Sequence, residues 1–162
     1  MVGTGSRTAG REGFLVFVMR VAEILSFDEY WADPRFQRKK PNLRGSKKQA
    51  FGDNVYHRAS ARASWKQEDS HHSFADGQPN PANIANDTQS PRVLIGTEYA
   101  YWGGQGPQVP PRFRDFDGYD LCAGRGHRNR FPPEFVAAFM TWFKSLGEQG
   151  RIGVPLDWPR SP

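Results

Sequence analysis

A short polar segment carries the residue types best suited to chemistry. Residues 68–72 read EDSHH, and we name them the EDSHH cluster. Because a histidine beside a carboxylate titrates near neutral pH, Asp69 could orient His71 or His72 for general acid/base catalysis. The same imidazoles, together with Glu68, could instead hydrogen-bond a polar ligand or the backbone of the following loop. The sequence leaves both alternatives open.

Metal binding by the EDSHH cluster is a third alternative and the weakest. Adjacent side chains of an extended chain point to opposite faces, so His71 and His72 reach one ion only where the chain turns. The single cysteine, Cys122, excludes an internal disulfide and a zinc site built on cysteines. We therefore expect neither a metal nor another cofactor.

A dense basic run precedes the EDSHH cluster. Residues 35–48, which we name the basic run, contain seven lysines and arginines and no acid. Charges at this density repel one another unless water or a polyanion faces them, and a phosphate backbone is the commonest such partner. The residues expected to contact DNA are Arg35, Arg38, Lys39, Lys40, Arg44, Lys47 and Lys48. A solvated loop is the alternative, because basic runs are often only solubilising.

Aromatic side chains close to both segments suggest a pocket. Aromatic residues make up 14% of the chain, and such rings serve either a core or the stacking of nucleobases. The expected ligand-binding residues are Trp31, His57, Trp65, Glu68, Asp69, His71 and His72. If the protein is an enzyme, Asp69, His71 and His72 are the expected catalytic residues.

Length and charge narrow the class of protein. A chain of 162 residues fits a single domain that buries roughly 70% of its unfolded surface. The formal charge of +5 favours acidic partners, and the basic run alone exceeds it. No apolar run approaches the roughly 20 residues that span a bilayer, and the N-terminus has no hydrophobic signal core. We expect a cytoplasmic protein without membrane contact, and the sequence leaves its oligomeric state open.

Apolar periodicity predicts a mixed α+β chain. Residues 14–24 suit a buried central strand, and further strands are expected at 54–57, 65–68, 92–96 and 98–102. Short helices should begin after the caps Ser26, Ser46 and Asn80. One longer amphipathic helix is expected at residues 133–146, packed on the sheet. Because a central strand so early lacks a neighbour, we expect the chain to lack an N-terminal portion.

Several long motifs resemble one family and span nearly the whole chain. They are FDEYWADPRFQRKKPNLRGS, QAFGDNVYHR, WKQEDSHHS, RVLI, RGHRNRFPPEF and IGVPLDW. These motifs resemble the nucleotide modification associated domain 2 family of bacteria and phages, which genomic context links to DNA base modification. The resemblance implies a PUA-like fold, with a small twisted sheet that is mostly antiparallel or barrel-like and a C-terminal helix packed on it. It implies no catalytic activity.

Together these features predict a nucleic-acid-associated domain involved in DNA base or nucleotide modification. It would bind DNA phosphates through the basic run and a modified base near the EDSHH cluster. An enzyme that acts on a base or nucleotide by acid/base chemistry is the first alternative. An interaction subunit whose basic run binds an acidic protein is the second.

Overall fold

The structure is a computed structural model, and it describes residues 1–122, 126–156 and 158. Its strands are β1 (Val2–Thr4), β2 (Leu15–Arg20), β3 (Glu23–Ser26), β4 (Tyr56–His57), β5 (Lys66–Gln67), β6 (Arg92–Ile95), β7 (Glu98–Gly103) and β8 (Gly150–Val154). Its α-helices are α1 (Phe27–Ala32), α2 (Lys47–Ala50), α3 (Pro81–Asp87) and α4 (Pro133–Ser145). Two 3-10 helices span Pro34–Lys39 and Pro111–Phe113. The first residue of RGHRNRFPPEF and the aspartate of IGVPLDW lie outside the described residues.

The chain divides into two compact units. Unit 1 comprises Met1–Val21 and Gly96–Pro162, and unit 2 comprises Ala22–Ile95. Unit 2 is therefore a continuous segment between the two parts of unit 1. The expectation of a single domain stays a prediction.

Unit 1 contains a four-stranded sheet in the order β1-β2-β7-β8. Strands β1, β2 and β7 are antiparallel, whereas β8 joins β7 in parallel. Strand β2 is rich in apolar residues and lies between β1 and β7, as predicted for a central strand. The predicted strand at 14–24 is wrong in length, however. It ends at Arg20, and the chain then enters β3, which pairs with β6 in a separate sheet.

Helix α4 closes the core of unit 1. Pro132 is its N-cap and Pro133 its first residue, where the fixed φ of proline suits the first turn, and Gly147 follows the helix at a φ of 65°. Its buried rings join the apolar face of the sheet, which confirms the predicted packing. The buried core residues are Leu15, Val18, Ala100, Trp102, Val109, Phe113, Phe135 and Phe139.

Unit 2 combines the β3–β6 pair and the β4–β5 hairpin with three short α-helices and the 3-10 helix Pro34–Lys39. Capping boxes begin two of the helices, since Ser26 pairs with Glu29 before α1 and Ser46 pairs with Gln49 before α2. Asn80 caps α3 by accepting hydrogen bonds from two backbone N–H groups. All three caps are as predicted, and they fix where the chain turns around the site.

The fold is α+β with mostly antiparallel pairing, as predicted. The barrel-like alternative is wrong for the described residues, because their strands form three small open sheets and not one closed sheet. Residues 21 and 22 connect β2, which belongs to the four-stranded sheet, to β3, which pairs with β6. Within the described ranges, no helix is both long enough and apolar enough to cross a membrane.

Candidate functional site

Unit 2 contains a cleft of about 280 Å³ whose walls combine apolar and ionisable side chains. The lining residues are Phe27, Phe51, Asp53, Val55, Tyr56, His71, His72 and Asp87. A cavity of about 20 Å³ in unit 1, beside Gly104 and Leu156, holds little more than one water molecule. The cleft of unit 2, which we name the aromatic cleft, is therefore the candidate site.

Local structure explains how distant segments meet at the aromatic cleft. The Ser26 cap begins α1 and so places Phe27 in its first turn. The short turn after α2 carries Phe51 and Asp53 into β4. The last residue of α3 is Asp87, so the Asn80 cap sets where that carboxylate lies. Helix α1 therefore contributes a lining residue at its start, and helix α3 contributes one at its end.

A hydrogen-bond network holds one wall of the aromatic cleft. Asp87 Oδ2 accepts a hydrogen bond from the Tyr56 hydroxyl at 2.6 Å and lies 2.7 Å from His72 Nδ1. Gln67 Nε2 donates to the Tyr56 oxygen at 3.2 Å and to the His72 carbonyl at 3.2 Å. Asn83 Nδ2 also donates to the His72 carbonyl, at 2.7 Å. His72 is thus fixed through both its ring and its backbone.

The network sets the protonation states of its members. Burial raises the pKa of Asp87, but hydrogen bonds from Tyr56, Asn86 and His72 outweigh it and bring that pKa below its usual value. Burial and the bond to Asp87 raise the pKa of Tyr56 above its usual value. At neutral pH the carboxyl of Asp87 is therefore ionised and the phenol of Tyr56 keeps its proton.

Asp53 is the second carboxylate of the aromatic cleft. Its Oδ1 accepts a hydrogen bond from the Tyr30 hydroxyl at 2.8 Å, and its Oδ2 lies 3.6 Å from Lys39 Nζ. The side chain of Asp53 is 63% exposed. Burial, with Asp53 close by, raises the pKa of Tyr30, so the phenol remains a donor to this carboxylate. Asp53 therefore keeps free acceptor positions towards solvent.

His71 lies at the exposed edge of the aromatic cleft. Its ring centroid is 4.8 Å from that of Phe51 and 4.3 Å from that of His72. Burial and the neighbouring His72 lower the pKa of His71, so its imidazole is neutral near pH 7. A neutral, exposed ring beside Phe51 can stack on a planar ligand or accept a proton.

Trp31, His57 and Glu68 are brought together, but they do not line the aromatic cleft. The rings of Trp31 and His57 are stacked, and His57 Nε2 lies 3.0 Å from Glu68 Oε1. Lys40 Nζ lies 3.5 Å from the centroid of the Trp31 ring. This second cluster is internally paired, so three of the predicted ligand-binding residues have protein partners.

Trp65 supports the aromatic cleft from behind its lining. Its ring meets Phe27 edge to face at 5.5 Å, and the guanidinium of Arg58 lies 4.1 Å from its centroid. Arg58 is in turn held by Asp28 at 3.0 Å. Trp65 therefore orients Phe27 and does not itself line the cleft.

Asp69 lies apart from both histidines of the EDSHH cluster. Its side chain is exposed and packs beside Gly77, where a Cβ would approach Asp69 Oδ2 to 3.0 Å. Gly77 has a φ of 82°, which glycine adopts without strain. The carboxylate that contacts His72 is Asp87, which is distant in sequence. The expected pairing of Asp69 with a histidine is therefore not the one observed.

The basic run is paired at one end and free at several positions. Arg35 forms salt bridges with Glu23 and Asp33, which the run itself does not contain. Arg38, Arg44 and Lys48 are exposed, and their side chains form no salt bridge with the described residues. Lys47 begins α2 after the Ser46 cap. Free positive charge therefore remains at three positions of the run.

Sequence reasoning missed five lining residues besides Asp87. They are Phe27, Phe51, Asp53, Val55 and Tyr56, none of which stands in a run of chemically reactive residues. The available signals are the Ser26 cap directly before Phe27 and the Ser46 cap of the short helix that precedes Phe51. Within the described part of the chain, no three His, Cys, Asp or Glu side chains are grouped to hold a metal ion.

Comparisons with known proteins give one match. A family model described as nucleotide modification associated domain 2 matches residues 1–162. No curated protein and no solved structure matches the chain.

Proposed function

Because the chain belongs to the nucleotide modification associated domain 2 family, we propose that it takes part in the modification of nucleotides in DNA. It holds a nucleobase in the aromatic cleft while the basic run contacts DNA phosphates. The membership bears out the resemblance found in the sequence. The PUA-like fold that this resemblance implies is part of the same proposal.

The composition of the aromatic cleft carries the proposal. Its volume of about 280 Å³ is close to the lower end of the roughly 300–1,000 Å³ typical of ligand pockets, which suits a ligand as small as a base. Phe51 and His71 offer exposed rings on which a base can stack. Asp53 and Asp87 repel a phosphate, so the planar base and not the phosphate is the group that fits.

The charges of unit 2 favour phosphate contacts along the basic run. Within the basic run, Arg38, Arg44 and Lys48 are exposed, and their side chains form no salt bridge with the described residues. Phosphate contacts release counterions, so binding that depends on them weakens steeply as salt is raised. Phosphate contacts along the basic run should therefore weaken as salt is raised, whereas the contacts of an uncharged base in the aromatic cleft should change little.

That difference gives the experiment. A labelled DNA duplex is titrated with the full chain at several salt concentrations, and free nucleosides are titrated separately by calorimetry. We expect duplex affinity to fall linearly on a logarithmic salt scale, and the affinity for uncharged nucleosides to change little. Polyglutamate serves as the control polyanion, since equal competition by it would favour an acidic protein partner. A duplex affinity that does not change with salt concentration, or no binding of any nucleoside, would contradict the proposal.

The contact between His72 and Asp87 favours a second candidate function, an enzyme acting on a base or nucleotide by acid/base chemistry. An ionised carboxylate at Nδ1 orients the imidazole, as in many acid/base sites. The test is turnover of nucleotides and DNA, followed by chromatography of the digested products. Conversion by the wild type that Asp87→Asn abolishes would support an enzyme, whereas no conversion by the wild type would contradict it.

A further inference from the structure

Two hydrogen-bond donors in one wall of the aromatic cleft, the Tyr56 hydroxyl and His72 Nδ1, are already engaged by Asp87. The Tyr56 hydroxyl donates to Asp87, at 2.6 Å. Because Asp87 is ionised, its 2.7 Å contact with His72 requires the proton on Nδ1. Neither the Tyr56 hydroxyl nor His72 Nδ1 is therefore available as a donor to a ligand.

Acceptor positions remain on both carboxylates. A carboxylate offers about four positions for hydrogen bonds. Asp87 receives bonds from Tyr56, His72 and Asn86, which leaves little of its capacity. Asp53 receives one bond, from Tyr30, because Lys39 Nζ is too distant at 3.6 Å for a hydrogen bond. Asp53 is therefore the main free acceptor of the aromatic cleft.

An acceptor-rich cleft distinguishes between bases by their polar edges. Cytosine and adenine present an exocyclic amino group, which donates, whereas thymine and uracil present a carbonyl oxygen at the matching position. An amino group can complete the bonding of the Asp53 carboxylate. A carbonyl oxygen placed there repels the carboxylate and leaves both groups without a partner once water is displaced.

We propose that the aromatic cleft takes nucleobases that carry an exocyclic amino group, with Asp53 as the residue that selects them. This inference rests on the base-binding function proposed above and names the class of base. The aromatic rings hold the plane of the base, and the carboxylate reads its amino edge.

Two matched pairs of nucleosides test the selectivity on the unaltered chain. Cytidine and uridine differ at the exocyclic group and the adjoining ring nitrogen, as do adenosine and inosine, and each is titrated by calorimetry. We expect the amino-bearing member of each pair to bind at least about tenfold more tightly, below the roughly 10⁴-fold discrimination of fully enclosed sites. Equal or tighter binding of uridine and inosine would overturn the inference while base binding itself stands. Absence of binding for all four would overturn the base-binding proposal, and this inference with it.

A substitution tests the role of Asp53. Asp53→Asn keeps an oxygen for Tyr30 and turns the free acceptor towards a donor, so the preference for cytidine over uridine should vanish or reverse. Asp76→Asn is the matched control, because Asp76 is an exposed aspartate that bonds the backbone of Gln78 outside the cleft. The control should keep the wild-type preference, and circular dichroism confirms that both variants are folded. An Asp53→Asn variant that still prefers cytidine would overturn the assignment.

Discussion

Trp31 and His57 stack with their ring centroids 3.9 Å apart and their planes inclined by 11°. Lys40 Nζ lies 3.5 Å from the centroid of the same indole. Both groups cannot occupy one face without overlapping, so they cover opposite faces of Trp31. The indole therefore has no open face for a base, although its residue type suggested one in the sequence.

Trp31→Ala should accordingly act on stability. Loss of the stacked pair and of the buried indole surface should lower the free energy of unfolding by roughly 1–3 kcal/mol. Urea denaturation measures the change, and Trp31→Phe, which keeps a ring against His57, should cost less. Cytidine affinity should stay within about twofold, since a shift of 0.4 kcal/mol corresponds to that factor. A variant of unchanged stability that loses cytidine binding would show that Trp31 contacts the ligand.

The free cations of the basic run should control DNA binding. Replacing Arg38, Arg44 and Lys48 by Ala removes three charges that have no salt bridge within the described residues. Binding to any duplex sequence should weaken alike, because phosphate contacts carry no sequence information. If all three contact phosphates, the logarithmic salt slope should become shallower by about 2.7. Fluorescence anisotropy at four salt concentrations measures that slope.

A matched triple variant separates a local contact from a loss of overall charge. Arg62, Lys66 and Arg92 are also exposed and belong to unit 2, but they lie outside the basic run. Their replacement by Ala also removes three positive charges, but it leaves the basic run intact. Most of the salt slope of DNA binding should therefore remain. Equal loss of slope in both triple variants would show that net charge, and not the basic run, attracts DNA.

The carboxyl of Asp87 should link stability to pH. Its pKa lies below the usual 3.8 because Tyr56, Asn86 and His72 bond its ionised form. A carboxyl with a depressed pKa stabilises the folded state above its unfolded pKa, and that stabilisation is lost as the pH falls through the folded pKa. At neutral pH, Asp87→Asn should lower the free energy of unfolding by roughly 1–3 kcal/mol.

The difference between the wild type and Asp87→Asn should shrink as the pH falls below 3.8. Urea denaturation between about pH 7 and about pH 3 measures this convergence. Asp76→Asn, the exposed control, should change stability by less than about 0.5 kcal/mol at neutral pH. A difference between the wild type and Asp87→Asn that grows towards acid pH would contradict the bonding assigned to this carboxylate.

Local signals in the sequence predicted the elements, because their causes are local. A capping box such as Ser26 with Glu29 is complete within four residues, and Pro132 and Pro133 fix the start of α4. The exchange of sheets after Arg20 could not be predicted in the same way. A continuous apolar run does not reveal that its first part pairs with β7 and its second part with β6.

The candidate site shows the same limit. Asp69 was the expected partner of the histidines because it stands next to them in the sequence, yet Asp87 contacts His72 from the end of α3. That contact depends on how the segment between β5 and β6 folds back onto β4, and a hydrophobic periodicity in the sequence does not predict this. Free acceptors such as Asp53 are recognisable only after the neighbouring donors are located.

Asp69→Ala tests this difference directly. The exposed Asp69 side chain bonds neither histidine and does not line the aromatic cleft. The substitution should therefore change the free energy of unfolding by less than about 0.5 kcal/mol and leave cytidine affinity unchanged. Denaturation and calorimetry measure the two effects. Loss of cytidine binding in this variant would restore Asp69 to the site.

The two adjacent histidines should respond in opposite ways to alanine substitution. His71 is exposed at the cleft edge, so His71→Ala should leave stability within about 0.5 kcal/mol. Loss of its ring as a stacking surface should weaken cytidine binding by roughly 1–3 kcal/mol. His72→Ala removes a partner from the partly buried Asp87 and should lower the free energy of unfolding by roughly 1–3 kcal/mol.

Each histidine is the control for the other, because the change of residue is the same and the positions are adjacent. Calorimetry and urea denaturation are measured on both variants under one set of conditions. His71→Gln, which keeps polarity but not the ring, should bind cytidine as weakly as His71→Ala, because stacking and not a hydrogen bond carries the effect. A His71→Ala variant that is destabilised as much as His72→Ala would instead show that both histidines are structural, and it would contradict the stacking role of His71.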